Sequence, residues 1–254
     1  MKRLESVSAF FPAYNDAATI ASMVIAAALT LPSISDDFEI IVINDGSRDH
    51  TAEILKELAR LYPFLRIITH EKNRGYGGAL RTGFASARKT WIFYTDGDAQ
   101  YDARELPRLA HVVTPDVDVV NGYKLARSDP QHRVLIGKIY HHIVRVLFRF
   151  RLRDVDCDYR LMRRTIFDHV ELESTSGTIC LEMVKKFQDL GFQFKEVPVH
   201  HYHRAHGKSQ FFNLRRLLAT GAQLLRLWWE LTMRKKHLRA RAKRLPLRNS
   251  TDVN

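Results

Sequence analysis

The sequence has little cysteine and none of the features of an exported protein. Its 254 residues include two cysteines, Cys157 and Cys180, which do not have the spacing of metal ligands. A disulfide framework and a zinc site are therefore not expected, and a reducing cytosol suits the chain best. The basic start at Met1 runs directly into a mixed polar segment without the apolar core of a signal peptide, so we do not expect export.

Long hydrophobic runs are also lacking. The longest uncharged stretch, residues 17–35, is about long enough to span a membrane, but serines, threonines and Pro32 dilute it. We interpret it as a buried crossover helix that ends before Pro32, because proline cannot continue a helix. Arginines interrupt the other apolar stretches, so the sequence predicts no transmembrane helix.

Acidic residues are outnumbered by basic ones. The chain has 40 lysines and arginines against 28 aspartates and glutamates, which gives a net charge of +12 and an isoelectric point near 9.8. Such an excess indicates an anionic partner. Nucleic acid, an anionic membrane surface and phosphorylated substrates all meet this requirement. The length suits one large domain, or a domain with an appendage.

Short apolar segments alternate with helical patterns along the chain. Strands are predicted at residues 6–11, 39–43, 65–69, 91–94 and 117–121, and a last strand at residues 196–200. Helices are predicted at about residues 18–30 and 51–62, and from the glycine-rich segment after residue 73 to about residue 88. Strands and helices in this order form βαβ units, so we predict an α/β fold with a doubly wound, mainly parallel sheet.

Two aspartates follow the fourth predicted strand. Asp96 and Asp98 are one residue apart, so both carboxylates can be directed at one divalent cation. Mg²⁺ typically takes one or two protein carboxylates together with substrate phosphates, so a metal-bridged diphosphate suits this pair. An isolated Asp-Gly-Asp segment is more often a simple acidic turn, and the rest of the chain is what favours the metal site.

Similar polar residues follow each of the first three strands. They are Tyr14 and Asp16, Asn44 and Asp45, and Arg74 and Gly75. The carboxyl ends of parallel strands meet at one edge of the sheet, so these residues are expected to form one site with the aspartate pair. Carboxylates accept hydrogen bonds from a base or a ribose, and glycine lets backbone approach a ligand closely. Taken singly, the same residues are typical of turns and helix caps.

Four segments, taken in order, resemble the inverting family 2 glycosyltransferases with the GT-A fold. They are Phe11-Pro12-Ala13-Tyr14-Asn15-Asp16, the segment 42–51 with Asn44-Asp45-Gly46-Ser47, Asn73-Arg74-Gly75, and Thr95-Asp96-Gly97-Asp98-Ala99-Gln100. Within that family the chain is similar to dolichyl-phosphate mannose synthases and polyprenyl-phosphate glycosyltransferases. The resemblance runs from about residue 6 to about residue 215, and we assign residues 1–210 to a GT-A domain.

The resemblance implies a nucleotide-sugar donor, linked to UDP or GDP, and a bound Mg²⁺ or Mn²⁺ ion. The metal ligands it implies are Asp96, Asp98 and Gln100, and Asp98 is also expected to act in catalysis. The donor contacts expected at this site are Pro12, Tyr14, Asp16, Asn44, Asp45, Arg74, Gly75 and Asp96. Asp16 and Asp45 are placed near the nucleoside, and glutamate is commoner than aspartate at position 16 in the family.

A basic amphipathic helix is predicted at about residues 131–150. Apolar residues from Ile136 to Phe150 share one stripe, whereas lysine, histidines and arginines occupy most of the other face. This pattern suits a membrane surface, or equally a helix packed on the sheet with a solvated basic face. In the resembling family the segment lies beside the acceptor site, where Arg127 and Arg133 would bind a lipid phosphate through their guanidinium groups.

The segment at residues 153–160 resembles the part of these enzymes that faces the donor sugar. From it we carry over Asp154 and Arg160, while Asp158 stands where glycine is commoner in the family. Glu182, further along, is a candidate catalytic base or sugar contact. An ordinary helix glutamate would explain that residue as well.

A histidine-rich loop follows the last predicted strand. A zinc site is disfavoured there, because the histidines alternate along a strand and Arg204 intervenes. The loop resembles instead the family's mobile Arg-x-x-Gly-Lys-Ser segment. Arg204 and Lys208 are therefore expected to close over the diphosphate as catalytic residues.

Residues 211–254 combine a predicted amphipathic helix with a basic tail. Leucines and tryptophans on one side of the helix oppose arginines on the other, which is typical of a membrane-surface helix. A helix docked on the domain, or a dimer face, would give the same pattern. The tail from Lys235 to Arg248 has almost no acids, and we expect it to lie near anionic lipid.

Together with these patterns, the resemblance implies an inverting glycosyltransferase that moves a sugar from a nucleotide-diphosphate sugar to polyprenyl phosphate at the cytosolic face of a membrane. An acceptor phosphate is already ionised at pH 7 and needs no strong base. The alternative acceptor is a hydroxyl group of a glycan or glycolipid, with Glu182 or Asp154 as base. A nucleic-acid-binding module is disfavoured, because acids occupy the sheet edge and the cations lie on helices with leucine and tryptophan. The sequence leaves the sugar, the base and the oligomeric state open.

Overall fold

The structure, a computed structural model, describes residues 3–125, 141–203 and 214–238, the last range with side chains from residue 221 onward. Its strands are β1 (Val7–Ala13), β2 (Phe38–Asn44), β3 (Leu65–Thr69), β4 (Trp91–Thr95), β5 (Val119–Lys124), β6 (Tyr159–Arg163) and β7 (Phe194–Val199). The helices are α1 (Ile20–Thr30), α2 (Thr51–Leu61), α3 (Tyr76–Ser86), α4 (Leu106–His111), α5 (residues 141–148), α6 (Ile179–Asp189) and α7 (Leu214–Trp228). All seven strands form one sheet, in the order β3-β2-β1-β4-β6-β5-β7.

The first four strands are all parallel to one another, and β5 and β7 at the other end of the sheet also pair in parallel. β1 pairs in parallel with β2 and β4, and β2 pairs in parallel with β3. Every residue of β1 and β4 is buried, because helices cover both faces of the sheet. This arrangement confirms the predicted doubly wound α/β fold.

One strand of the sheet was not predicted. β6 lies between β4 and β5 and runs antiparallel to both. The sequence analysis missed it because this strand is short and has two arginines among its five residues. The neighbouring strand β5 begins two residues later than predicted, and β7 ends at Val199, one residue before the predicted end.

Helices pack on both faces of the sheet. α1, α2 and α4 cover one face, and α3 and α6 cover the other. α1 buries Ile20, Met23 and Val24 and ends at Thr30. It is followed by a short 3₁₀ turn with Pro32 near its start. The prediction of a buried crossover helix in this segment is confirmed.

A third apolar cluster joins α5, α6 and α7. Val144 and Phe148 of α5 are buried against leucines of the other two helices. The indole N–H of Trp228 on α7 donates to the carbonyl of Leu147 at 3.0 Å. Of the predicted apolar stripe, Phe150 is buried and Leu147 packs against the cluster, whereas Ile143 is half exposed, so the buried side of α5 is displaced from the predicted stripe toward Val144 and Phe148. Among the helices that the structure describes, none combines the length and apolar character needed to cross a membrane.

Candidate active site

The carboxyl ends of β1, β2, β3 and β4 meet at one edge of the sheet. A Cβ atom on Gly97 would lie 2.6 Å from the carbonyl oxygen of Pro12 and 3.4 Å from Oδ2 of Asp16. A side chain at this position would therefore force the two loops apart, and glycine avoids this. The turn after β4 thus lies directly against the turn after β1, as expected for parallel strands.

The carboxylate of Asp45, at the end of β2, is buried and held from two directions. Its Oδ1 accepts the backbone N–H of Arg74 at 2.8 Å and lies 2.6 Å from Nδ1 of His70. The other ring nitrogen of His70 lies 3.0 Å from the hydroxyl of Thr82 on α3, so the imidazole is fixed on both sides. The sequence analysis missed His70. It directly follows β3, so the rule that identified Asp45 would have identified it as well.

The turns after β1 and β2 are also connected to each other. Oδ2 of Asp16 accepts the backbone N–H of Tyr14 at 2.9 Å, and the N–H of Asp16 donates to the hydroxyl of Thr51 at 3.0 Å. Asn44 is buried, and its Oδ1 accepts the N–H of Ser47 at 3.1 Å. Tyr14 is 44% exposed, so its ring is open to a ligand at this edge.

Asp96 and Asp98 directly follow β4, with Asp98 buried and Asp96 partly buried. Tyr76, the first residue of α3, donates its hydroxyl to Oδ1 of Asp96 at 2.7 Å. Oδ1 of Asp98 accepts the N–H of Gln100 at 3.1 Å, and the Gln100 amide donates to the carbonyl of Tyr202 at 3.3 Å. The three predicted metal ligands therefore lie in one turn at the sheet edge. Tyr76 was not predicted, because tyrosine gives no signal of its own in a glycine-rich loop.

Negative charge is concentrated around Asp96. Burial raises the pKa of Asp96 well above its usual range, and the charges of Asp158, Asp98 and Asp16 raise it further. The hydrogen bond from Tyr76 opposes this shift. A bound cation would relieve the repulsion among these carboxylates, and carboxylate and amide oxygens are donors that suit Mg²⁺ or Mn²⁺. The residues present therefore fit the predicted metal.

The start of β6 continues the edge beyond β4. Oδ1 of Asp158 accepts the hydroxyl of Tyr94 at 2.9 Å and the thiol of Cys180 at 3.0 Å. Arg160 is 1% exposed; it contacts the hydroxyl of Tyr94 and donates its Nε–H to Oδ1 of Asn121 at 2.6 Å. The structure thus places Arg160 inside the fold, behind Asp158. There its guanidinium group lies 3.4 Å from the carboxylate of Asp158.

The predicted sugar-side residue Asp154 lies further along, beside β5. Ligand atoms of His141, Asp154 and Asp156 lie within 4.8 Å of one another. The ammonium group of Lys124 lies 3.7 Å from Oδ2 of Asp154 and donates to the carbonyl of Asp156 at 2.9 Å. Because this lysine already compensates the carboxylates, the cluster attracts a cation less than Asp96 and Asp98 do.

Glu182, the candidate base, has both carboxylate oxygens occupied. It lies in the first turn of α6 and is 2% exposed. Oε1 accepts the N–H of Glu173 at 2.9 Å and the ammonium of Lys186 at 2.6 Å, and Oε2 accepts the N–H of Ser174 at 2.8 Å. Burial acts to raise the pKa of Glu182, but the Lys186 charge and these hydrogen bonds outweigh it and lower that pKa overall. Such contacts suit a structural anchor better than a base.

The other predicted residues fall into two groups. Gly75 precedes α3 with a φ of +78°, a conformation that favours glycine. It directly follows Arg74, whose N–H donates to Asp45, so it lies at the same edge of the sheet. Arg127, Arg133, Arg204 and Lys208 lie outside the described residues.

The sequence matches a known family and several relatives. The profile of glycosyl transferase family 2 matches residues 8–171. Glycosyltransferase AglD of Haloferax volcanii is 33% identical over 237 residues, which cover 90% of this chain and 38% of the relative. Undecaprenyl-phosphate 4-deoxy-4-formamido-L-arabinose transferase of Pseudomonas fluorescens is 28% identical over 214 residues, which cover 84% of this chain and 62% of the relative. The chain therefore spans less than two thirds of the length of these relatives.

The fold matches that of glucosyl-3-phosphoglycerate synthase from Mycobacterium tuberculosis. Its structure in complex with Mn²⁺, UDP and glucosyl-3-phosphoglycerate gives a TM-score of 0.68 at 18% identity, and the match covers 89% of this chain and 79% of that one. At this identity the likeness establishes the fold, which agrees with the fold expected from the resemblance. The family match extends over more than half of the chain and includes β1 to β6 with the edge residues described above. The chain therefore belongs to glycosyl transferase family 2.

Proposed function

We propose that this chain is a metal-dependent, inverting glycosyltransferase that moves a sugar from a nucleotide-diphosphate sugar to a polyprenyl phosphate. The observation that carries the proposal is the meeting of Asp16, Asp45, Asp96 and Asp98 at the carboxyl edge of one sheet. This edge offers carboxylates for a nucleoside and for a cation at neighbouring strands. The relative in Pseudomonas fluorescens is named as an undecaprenyl-phosphate sugar transferase, which supports the acceptor.

The nucleoside of the donor is assigned to the ends of β1 and β2. Oδ1 of Asp45 is fixed by His70 and Arg74, so the carboxylate has a defined orientation in which to accept an N–H of a base. Asp16 and the exposed ring of Tyr14 lie on the neighbouring turn. The structural neighbour was solved with UDP, which supports a uridine donor.

We assign the cation and the diphosphate to the turn after β4. Asp96, Asp98 and Gln100 would hold Mg²⁺ or Mn²⁺ there, and Mn²⁺ is named in the structure of the neighbour. The ion, when bound, supplies charge that stabilises the leaving diphosphate. Arg204 and Lys208 would add positive charge on the other side of the diphosphate. The Tyr76 hydroxyl keeps the Asp96 carboxylate in place while these groups assemble.

The acceptor is assigned to the far side of the donor sugar, near α5. A lipid phosphate is an ionised nucleophile at pH 7, so its oxygen can attack the sugar without losing a proton. Arg127 and Arg133 would hold the phosphate through their guanidinium groups. The occupied oxygens of Glu182 are consistent with a reaction that needs no base. Attack on the face opposite the diphosphate inverts the anomeric centre.

A peripheral position on the cytosolic face of a membrane completes the proposal. Ile143 and Val146 of α5 are exposed, as are Leu225 of α7 and Trp229, which directly follows α7. The two helices pack on each other through Trp228, so these apolar side chains lie on neighbouring elements. Exposed apolar and indole groups next to arginines are typical of proteins that lie on anionic membranes.

The test is transfer from radiolabelled UDP- and GDP-sugars into organic-extractable polyprenyl phosphate, with Mn²⁺ or Mg²⁺ and with chelator. Labelled lipid that disappears with chelator is the expected result. Asp98→Asn should abolish transfer without unfolding the protein. Asp168→Asn is the matched control, because that side chain is 53% exposed and lies away from the edge. Donor cleavage without labelled lipid would contradict the acceptor and favour a hydroxyl acceptor, and the absence of donor binding would contradict the whole proposal.

A further inference from the structure

The order of the strands determines where each part of a nucleotide sugar can lie. Starting from β2, the sheet continues through β1 and β4 to β6. If the nucleoside lies at β2 and β1 and the diphosphate at β4, as proposed above, the sugar reaches the next strand, about 4.8 Å further along. That strand is β6, whose first residues are therefore expected to contact the sugar. This step rests on the proposed function.

Asp158, the residue immediately before β6, is the side chain at this place. In the antiparallel pairing of β4 with β6, Thr95 lies opposite Tyr159. Asp96 and Asp158 are the next residues outward from this pair, so continuing the register sets them opposite each other, and residues opposite each other in such a pair project from the same face of a sheet. The side chain of Asp158 is 19% exposed, so part of its carboxylate is open at the edge.

The carboxylate of Asp158 is fixed by contacts to one oxygen. Oδ1 accepts hydrogen bonds from Tyr94 and Cys180 and lies 3.4 Å from Nη1 of the buried Arg160. Within the described part of the chain, Oδ2 accepts no hydrogen bond. A carboxylate held by one oxygen in this way leaves the other to accept hydrogen bonds from a ligand.

We propose that Asp158 is a specificity-determining residue that reads the donor sugar. Its Oδ2 accepts hydrogen bonds from hydroxyl groups of a neutral sugar. The same charge, next to Asp96, repels a sugar that carries its own carboxylate, and repulsion of a wrong substrate is a common source of specificity. The substrate class assigned to this site is therefore a neutral hexose or pentose donor, with uronic acid donors excluded.

The experiment compares donors that differ only in the sugar carboxylate. Transfer and binding are measured for UDP-glucose against UDP-glucuronate, and for GDP-mannose against GDP-mannuronate. The wild type should prefer the neutral donor of the pair whose nucleotide it accepts. In Asp158→Asn this preference, as a ratio of kcat/KM values, should fall by about 10-fold or more, the range that one contact in a pocket can supply. Asp158→Glu should keep the preference, and Asp168→Asn should leave the ratio at the wild-type value.

Three results would overturn the inference, and they can be distinguished. An unchanged ratio in a folded Asp158→Asn protein would contradict the sugar contact while leaving the proposed function intact. An unchanged ratio with a higher Mn²⁺ requirement would make Asp158 a metal ligand instead. A wild type that binds none of the donors would contradict the inference together with the proposed function. Thermal unfolding of each variant shows whether it is folded, and Asp158→Glu provides the second readout because it keeps the charge.

Discussion

Replacement of Glu182 separates a structural role of this residue from a catalytic one. Its carboxylate holds the backbone of residues 173 and 174 and pairs with Lys186 inside the fold. Lys186 also donates to the carbonyl of Glu171 at 2.6 Å, so its ammonium group is buried with two acceptors. Glu182→Ala would leave this ammonium without its charge partner and would remove the anchor of the segment before α6.

The expected loss of stability follows from these contacts. Breaking a buried ion pair from one side costs about 3–5 kcal/mol, which is a large part of the stability of a domain. Glu182→Gln keeps an oxygen for one donor, so we expect a smaller loss of about 1.5–3 kcal/mol, the size of a hydrogen bond to a charged group. The double variant Glu182→Gln with Lys186→Met should lose less than the sum of the single variants, because no buried ammonium remains.

The contribution of Glu182 to the free energy of unfolding depends on pH with a definite sign. The pKa of Glu182 in the folded protein lies below the ordinary value of 4.5. The folded state therefore gains stability from this group above that pH, and the gain is lost as the pH falls through the folded pKa. The difference in unfolding free energy between wild type and Glu182→Gln should be largest at neutral pH and should shrink in acid.

Urea unfolding at pH 7 and in acid measures the stability terms, and transfer at a temperature where both proteins are folded measures kcat. We expect a lower unfolding midpoint with kcat within a few-fold of wild type. Loss of a general base would instead lower the rate by about 10²–10⁴-fold. A variant with the wild-type unfolding midpoint and a kcat reduced to that extent would refute the structural assignment of Glu182.

Three further predictions concern other parts of the chain. Tyr76→Phe removes the hydrogen bond to Asp96, so the Mn²⁺ concentration for half-maximal transfer should rise several-fold; an unchanged metal titration would contradict this. Gly77→Ala places a Cβ against the backbone carbonyl of Ser174, so thermal unfolding should show a loss of about 1–3 kcal/mol, and unchanged stability would contradict this close packing. Burial raises the pKa of Cys157 to about 12 and that of Cys180 well above its usual range, so neither thiol should react with iodoacetamide at pH 8 until urea unfolds the protein. Rapid labelling of the native protein would contradict the burial of these thiols.

The first four strands of the fold could be predicted because their signals are local. Each strand is a short apolar run, and the polar residues that follow, such as Asp45 and Asp96, are brought together by the geometry of a parallel sheet alone. His70 directly follows β3 and could have been identified in the same way, whereas the contact of Tyr76 with Asp96 depends on the relative positions of a strand and a loop that a single sequence does not reveal.

The rest of the fold depends on tertiary packing that the sequence does not encode locally. Arginine is almost never fully buried, so nothing marks Arg160 as an interior residue until Asn121 and Tyr94 are seen around it. The sequence also does not show which face of α5 is buried. Both the Ile143 and the Val144 faces are apolar, and contact with α6 and α7 decides between them.

The reversed direction of β6 gives the two ends of the site separate origins in the chain. The turns assigned to the nucleoside and the cation come from residues 12–100, whereas the far end comes from the connection between β5 and β6. β6 is attached to its neighbours by a backbone ladder, which tolerates many side chains. The sequence of the β5–β6 connection could therefore change during evolution while the first four strands stay the same. Under the proposed function, such an exchange would change the contacts to the sugar and the acceptor, Asp158 among them, while the turns assigned to the nucleoside and the cation stay the same.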